Sequence, residues 1–274
     1  APAPRQDGLA RAAGRARYAV DVTLPGMLHA AVLRSPLAHA RVAGLSLDAA
    51  LALPGVRAAL GPASPVSFTG PPLLHAEPEY AGQPVAVVAA DTKEQAGAAL
   101  AALALRVEPL PHVVDPGEAL RDQRFTRDPE EEERGDVEAA LAAADVRVEL
   151  AQETPDHLQT PLEPHAAVAS WDGDRLTVWL STQGMFDARA ELAEAFGLPG
   201  PNVRVVAEYI GGGFGSKQGA GVEALLAAEL ARRTGRPVRL VNDRHAEQLD
   251  GGRRARTRQS VRLGARKDGT LVAI

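Results

Sequence analysis

The chain has 274 residues, 45% hydrophobic and 24% charged, enough for one large or two ordinary domains around a sizeable core. Its formal net charge of −5 offers no global field for DNA or an anionic membrane, and 4% aromatics leave few rings for stacking single-stranded bases. Cysteine is absent, which removes disulfides, zinc–thiolate sites, iron–sulfur ligation and cysteine nucleophiles.

No apolar run approaches the roughly 18 to 20 residues of a membrane span, and the N-terminal residues carry no apolar signal region; the composition is compatible with the cytoplasm. The first segment with structural character is 17–22, followed by a Pro25-Gly26 turn. Residues 27–34 run nearly unbroken apolar between turn signals and read as a strand, with 40–47 as the next. A helical turn over 48–53 ends at Pro54-Gly55, and 61–78, rich in Pro, Gly and Ser, reads as a long surface connection. The most hydrophobic strand of this half is 83–90. Asp91 then caps an alanine-rich helix reaching about Leu105, with Glu94 three positions on, and 106–108 is a return strand. Between Asp115 and Arg134 charges dominate, and Pro129-Glu130-Glu131-Glu132-Glu133 has no apolar periodicity. Like charges that cannot be buried make a linker, so 123–135 is the expected domain boundary.

The second half opens with a short amphipathic helix after Asp136, and 146–150 and 166–171 read as strands. Asp172-Gly173 turns the chain into the strand 176–180. A helix over 185–196 stops at Gly197 with Pro199 beyond it. The strand 203–209 runs straight into Gly211-Gly212-Gly213-Phe214-Gly215-Ser216-Lys217, with a helix at 222–233 and a strand at 239–241 to follow. The basic cluster from Arg253 to Arg258 reads as a solvated or interface-pairing segment, and 259–265 and 271–274 flank an Asp268-Gly269 turn. Because the last apolar strand is cut short at Ile274, the natural protein is expected to continue.

The glycine run is the constellation with a chemical purpose. Glycines let backbone N–H groups approach an anion, and a helix N-terminus just beyond would add its partial positive charge. A phosphate, a pyrophosphate or a metal-oxo group suits such a turn, and so does close backbone packing with no ligand. A Walker loop needs Gly-Lys-Ser/Thr, whereas this chain has Ser216-Lys217-Gln218; a dinucleotide fingerprint needs glycine where Ser216 stands. Glu163 and His165, two apart on a strand, share one face as an acid–base pair does, although structural hydrogen bonding is the expected role. His157 and His165 lack a third ligand at metal-binding spacing.

Gly-Gly-Gly-Phe-Gly-x-Lys resembles the molybdopterin-contacting loop of the aldehyde oxidase / xanthine dehydrogenase family. Gly14-Arg15-Ala16-Arg17-Tyr18, Leu24-Pro25-Gly26-Met27-Leu28-His29-Ala30, Ser35-Pro36-Leu37-Ala38-His39-Ala40 and Tyr80-Ala81-Gly82-Gln83-Pro84-Val85 are similar to that family's patterns. So are Leu162-Glu163-Pro164-His165, Ser181-Thr182-Gln183-Gly184 and Arg232-Arg233-Thr234-Gly235-Arg236-Pro237-Val238, in the family's order. The resemblance spans residues 10–274.

It implies an α+β fold: an α/β hammerhead domain over 10–122, an acidic linker at 123–135, and from 136 to 274 the first portion of a mixed α/β molybdopterin-binding domain. By the same resemblance Gln183 hydrogen-bonds the molybdenum's oxo ligand, Gly212, Gly213, Phe214 and Gly215 form the loop beside the cofactor, and Phe214 and Gln218 line the substrate site. No residue of this chain ligates the metal directly. The implied reaction is hydroxylation of an aldehyde or N-heterocycle with water as oxygen source. Purine-oxidising members carry an acidic residue where this chain has Gln218, which favours an aldehyde or another N-heterocycle. The catalytic glutamate base belongs to the family's C-terminal part, so no catalytic residue is expected here and the isolated chain should be inactive. Implied partners are the remainder of the molybdopterin subunit and subunits carrying [2Fe–2S] and FAD, with no nucleic acid and no membrane. A non-catalytic fragment without cofactor and a nucleotide-binding glycine-loop module are the alternatives.

Overall fold

The computed structural model describes residues 3, 5–124 and 130–274. Pro129 and the four residues before it in the expected linker lie outside the described residues, as do Ala1, Pro2 and Pro4. In chain order the elements begin with α1 (Gly8–Ala12), β1 (Leu28–Arg34), β2 (Ala40–Gly44), α2 (Leu47–Leu51) and β3 (Val56–Leu60). Next come β4 (Pro84–Ala90), α3 (Lys93–Ala102), β5 (Arg106–Pro109), α4 (Pro116–Arg121) and α5 (Val137–Ala143). Then follow β6 (Val146–Thr154), β7 (His157–Leu158), β8 (Ala166–Asp172), β9 (Arg175–Leu180), α6 (Met185–Ala195) and β10 (Val203–Val206). The last are α7 (Gly221–Thr234), β11 (Val238–Val241), α8 (Arg244–Asp250), β12 (Arg253–Arg254), β13 (Thr257–Ala265) and β14 (Leu271–Ala273). This is the expected α+β class, and it divides into two compact units: Ala1–Pro111 with Leu158–Gly252, and His112–His157 with Arg253–Ile274.

The first unit is built on a mixed seven-stranded sheet of order β10-β9-β8-β11-β1-β4-β3. β1 pairs antiparallel with β4 but parallel with β11, Leu28 standing opposite Val238. All seven residues of β4 are buried, as a strand covered on both faces requires. Its pleat sends Val87 and Ala89 into a core with Leu226, Leu230 and Leu192 of α7 and α6, and Ala86, Val88 and Ala90 into a second core with Ala96, Ala99 and Leu103 around α3. Each fully buried leucine contributes about 1.5–3 kcal/mol of transfer free energy. α7 ends on Gly235 at φ 63, the left-handed cap that its Gly-then-Pro sequence demands.

The second unit has a three-stranded sheet, β14-β13-β6, in which β13 and β6 pair over nine residues. α5 packs on it through Leu141, close enough that a Cβ on Gly264 would stand 3.0 Å from that of Ala144 and 3.3 Å from Leu141. Part of the basic cluster is spent inside this unit. Arg256 lies 2.7 Å from Glu153, and Arg258 reaches the same carboxylate at 3.5 Å.

Several elements differ from expectation. Thr92, not Asp91, caps α3, exchanging hydrogen bonds with Gln95 (3.2 and 3.1 Å), while Asp91 pairs with Arg57 and Arg236. A hydroxyl one residue further on wins the cap because two arginines claim the carboxylate. β3 and α8 form where no element was expected, and α4 lies inside the charged stretch, started by the Asp115 side chain on Glu118 N–H and by Pro116. The 61–78 connection is not wholly superficial: Leu74 is buried, Phe68 stacks edge-on against Phe196, and Ser67 N–H donates to the fully buried Glu229 (3.0 Å). The β8–β9 turn is Gly173-Asp174, since Asp172 still pairs with Arg175.

Candidate functional site

β10 ends at Val206, so the strand does not run into the glycines as expected; residues 207–210 carry the chain to Gly211 in irregular backbone. Two glycines of the loop are set by their neighbours. A Cβ on Gly211 would overlap that of Glu163, and one on Gly213 would fall 2.6 and 2.8 Å from Cδ and Cγ of Gln183. Phe214 is held at φ 52, sterically costly for a residue with a Cβ, and its ring stays 60% exposed, folded toward Gly212.

Hydrogen bonds tie the loop to two segments. Gly211 N–H donates to Glu163 Oε2 (2.7 Å) and Glu163 N–H returns a bond to Gly211 O (3.2 Å). Gly215 N–H donates to Gln183 Oε1 (2.9 Å), and Gln183 N–H to Lys217 O (2.8 Å). Ser216 closes the turn on Gly213 O through both its N–H (2.9 Å) and its hydroxyl (2.8 Å). Among the described residues the N–H groups of Gly212 and Gly213 have no partner. Because a backbone N–H can only donate, the Gly215 contact assigns Gln183's oxygen to the loop and leaves its Nε2 hydrogens outward. Gln183 is exposed, whereas Gly212 is half-buried and Gly213 buried, so the amide is the exposed neutral donor of the loop, of a kind that suits an anionic oxygen.

Beneath the loop the polar groups are buried. Lys217, whose side chain is fully buried, donates to Ser181 Oγ (2.6 Å) and Glu163 O (2.7 Å), with Glu163 Oε2 at 3.7 Å. Burial pushes its pKa down, against the pull of Glu163, Glu247 and Glu223. A lysine so enclosed cannot reach out to a phosphate, which argues against the nucleotide-loop alternative. His165 holds Nδ1 3.0 Å from Glu247 Oε1 and Nε2 3.2 Å from Ser216 O. Both partners accept only, so the ring serves them best with two protons. Burial opposes that charge, but the carboxylates of Glu247 and Glu223 outweigh it and the His165 pKa is raised. Burial also works against the Glu247 charge, yet the His165 contact leaves its pKa lowered. The Glu163/His165 pair is thus split, each residue bracing a different part of the loop.

The helix after the loop starts within one residue of the expected position, but its N-terminus is already occupied. α7 begins at Gly221, and Ala220 N–H donates to Glu191 Oε2 (2.7 Å), so a carboxylate of the chain itself occupies that terminus. Gly219 stands at φ 69, where a Cβ is strained, and a Cβ there would also meet the same carboxylate. Gln183, Gly213 and Gly215 come together as expected, with Phe214 on the rim. Gln218 is exposed beyond Lys217, and among the described contacts none joins it to Gln183 or Phe214. Glu191, Glu247 and Arg11, which donates to Ile210 O, gave no local signal in sequence, since each acts across about 30 to 200 residues. Among the described residues, no helix is long and apolar enough to cross a membrane.

Two family models match the chain: the aldehyde oxidase and xanthine dehydrogenase a/b hammerhead domain over residues 13–111, and the molybdopterin cofactor-binding domain over residues 120–274. Among curated proteins, the aldehyde oxidoreductase molybdenum-binding subunit PaoC of Escherichia coli (strain K12) is 33% identical over all of this chain and 38% of its own length. The nicotinate dehydrogenase large molybdopterin subunit of Eubacterium barkeri is 32% identical over 98% of this chain and 67% of its length. Among solved structures, quinoline 2-oxidoreductase from Pseudomonas putida 86 superposes with a TM-score of 0.85 at 29% identity, over 97% of this chain and 37% of that one. The chain thus spans about two fifths of the length of the PaoC relative.

Proposed function

The chain belongs to the aldehyde oxidase and xanthine dehydrogenase family of molybdopterin-binding proteins, and on that premise we propose that it forms one wall of a molybdenum hydroxylase's active site. The observation that carries this is the exposed Gln183 amide: its oxygen is taken by Gly215 N–H, which leaves its Nε2 hydrogens free to donate, in a loop where the Gly212 and Gly213 N–H groups have no partner among the described residues. That donor set fits an oxo-bearing cofactor, whereas no residue of the chain is proposed to ligate the metal.

When bound, the molybdenum cofactor supplies the redox chemistry that places a water-derived oxygen on an aldehyde or N-heterocycle. Gln183 Nε2 would donate to an anionic oxygen of the bound group, and the N–H groups of Gly212 and Gly213 would be further neutral donors of the loop. Gly215 orients the amide, and Phe214 presents an exposed ring to a planar substrate. Gln218 lines the outer part of that pocket in this reading, and an amide there selects against the purine ring that an acidic residue would help bind. No residue of this chain is assigned as the catalytic base.

The reading also divides the chain at 123–135 into a hammerhead domain and the opening portion of the cofactor domain. It includes [2Fe–2S] and FAD centres on partner polypeptides, since a stretch without cysteine cannot hold the cluster and the relatives are termed subunits. A cytoplasmic location completes it, to be checked by cell fractionation.

The experiment is metal analysis and turnover of the native assembly purified from its host, in water enriched in oxygen-18. About one molybdenum per chain and labelled carboxylate from an aldehyde are expected. An assembly without molybdenum, or product oxygen not drawn from water, refutes the reading. The 274 residues expressed alone should turn over no aldehyde, and measurable oxidation by them would overturn that part.

A further inference from the structure

The approach to the glycine loop is held at one peptide bond, between Ile210 and Gly211. Its carbonyl, Ile210 O, accepts from Arg11 Nη1 at 3.1 Å, and its N–H, on Gly211, donates to Glu163 Oε2 at 2.7 Å. The two grips come from the two separate stretches of the first unit's sequence, yet both act on a single plane. Fixing both polar atoms of a peptide fixes the direction in which the backbone leaves it, because only φ and ψ on either side stay soft.

Arg11 is itself oriented. Its Nε donates to Asp7 Oδ2 (2.6 Å) and Nη1 also to Tyr18 Oη (3.0 Å). The guanidinium carbon lies 5.7 Å from the Tyr18 ring centroid and 5.5 Å from that of Tyr209, the residue just before Ile210. Only a planar fork with several donors can serve a carboxylate, a phenol and a carbonyl at once while lying against rings. On the other side, Glu163 N–H bonds Gly211 O and Lys217 binds Glu163 O, so the second grip is anchored in the buried polar layer.

We propose that Arg11 and Glu163 are positioning residues that set the glycine loop, and with it the Gln183 amide, by clamping the Ile210–Gly211 peptide from both sides. The N-terminal segment is thereby part of the cofactor wall. This rests on the reading of the loop as a cofactor site, but the clamp is a property of the chain and can be tested apart from it.

The test is hydrogen exchange on the native assembly, with molybdenum content measured in parallel, for Arg11→Met, Arg11→Lys, Glu163→Ala and Glu163→Gln. Arg11→Met and Glu163→Ala should speed exchange in the 207–216 segment about tenfold or more while β1 and β4 exchange as in the wild type. Molybdenum per chain should fall severalfold in both. Glu163→Gln keeps an oxygen for Gly211 N–H but removes the counter-charge of Lys217, and should exchange more slowly at 207–216 and load more molybdenum than Glu163→Ala. Arg11→Lys keeps the charge but not the fork and should lie between Met and wild type. Arg57→Met, remote from the loop, is the control that should change neither. Wild-type exchange at 207–216 in Arg11→Met, or acceleration spread equally over β1 and β4, overturns the clamp. If Arg11→Met fails to fold, the Lys variant decides on the same two readouts. A wild-type assembly without molybdenum refutes the cofactor reading, while the exchange result still decides the clamp.

Discussion

Gly213→Ala separates what the loop does for folding from what it does for the site. Gly213 has no positive φ, so alanine meets no backbone penalty there, and the whole effect comes from one methyl group. That methyl would lie 2.6 Å from Gln183 Cδ and 2.8 Å from its Cγ. Gln183 is exposed and can swing away, which loses its bond with Gly215 N–H, a cost of about 0.5–1.5 kcal/mol. Stability should therefore fall by about 1 kcal/mol, read from the urea midpoint of the native assembly. Function should fall far more, because loss of one pre-aimed donor typically costs about 10²- to 10³-fold in kcat. The cycle with Gln183→Ala is decisive. Without the glutamine side chain the methyl has nothing to strike, so Gly213→Ala should cost nothing further, a coupling of about 1 kcal/mol or more. Additive losses in the double variant, or wild-type turnover in Gly213→Ala, would refute the placement of Gln183 against the loop.

Three other outcomes follow from the buried layer and the cap. Lys217→Met leaves Glu163 O and Ser181 Oγ without their donor and Glu163 without its cation, and should destabilise by about 3–5 kcal/mol in urea unfolding. The His165–Glu247 pair gives stability a pH dependence. His165, raised above its ordinary 6.5, contributes fully below that value and loses its contribution as pH rises through the folded pKa. Glu247, lowered from 4.5, contributes above that value and loses it as pH falls through its folded pKa. The pair's joint contribution is thus greatest between about pH 4.5 and 6.5, and His165→Gln should flatten the alkaline limb of a stability–pH curve; an unchanged limb would reject the doubly protonated ring. Glu191→Ala should cost about 0.5–2 kcal/mol by removing the acceptor at the start of α7, measured by thermal unfolding.

Elements whose residues declare themselves within a few positions were legible in the sequence. β4 is an unbroken apolar run, α7 has both its periodicity and its Gly-Pro stop, and the β8–β9 hairpin has its turn residues. β3 was missed because Val56-Arg57-Ala58-Ala59-Leu60 holds two helix-forming alanines and a single β-branched residue; pairing with β4 decides it. Asp91 would cap a helix anywhere else, but Arg57 and Arg236 take its oxygens. In the site, motif order marked Gln183 and the glycines, whereas the reasons for those glycines were invisible. Gly211 and Gly213 each answer to a particular side chain (Glu163 and Gln183) and Gly219 to its left-handed backbone beside Glu191, rather than directly to an anion. The helix terminus assumed to serve the ligand is satisfied internally, a fact that only the fold could disclose.

The neighbourhood of β1 in the large sheet has a consequence for synthesis. β1 pairs with β4 on one side, about fifty residues later, and with β11 on the other, about two hundred residues later. At about 5–20 residues per second, roughly eight to thirty seconds pass between the emergence of β4 and that of β11, the two strands that flank β1. During that time the β1–β4–β3 ribbon offers an open row of backbone donors and acceptors beside apolar side chains, the arrangement most prone to wrong partners. The nascent chain must wait with its central seam unclosed, and its yield in the cell depends on what shields that seam while the roughly 150 residues between β4 and β11 are made.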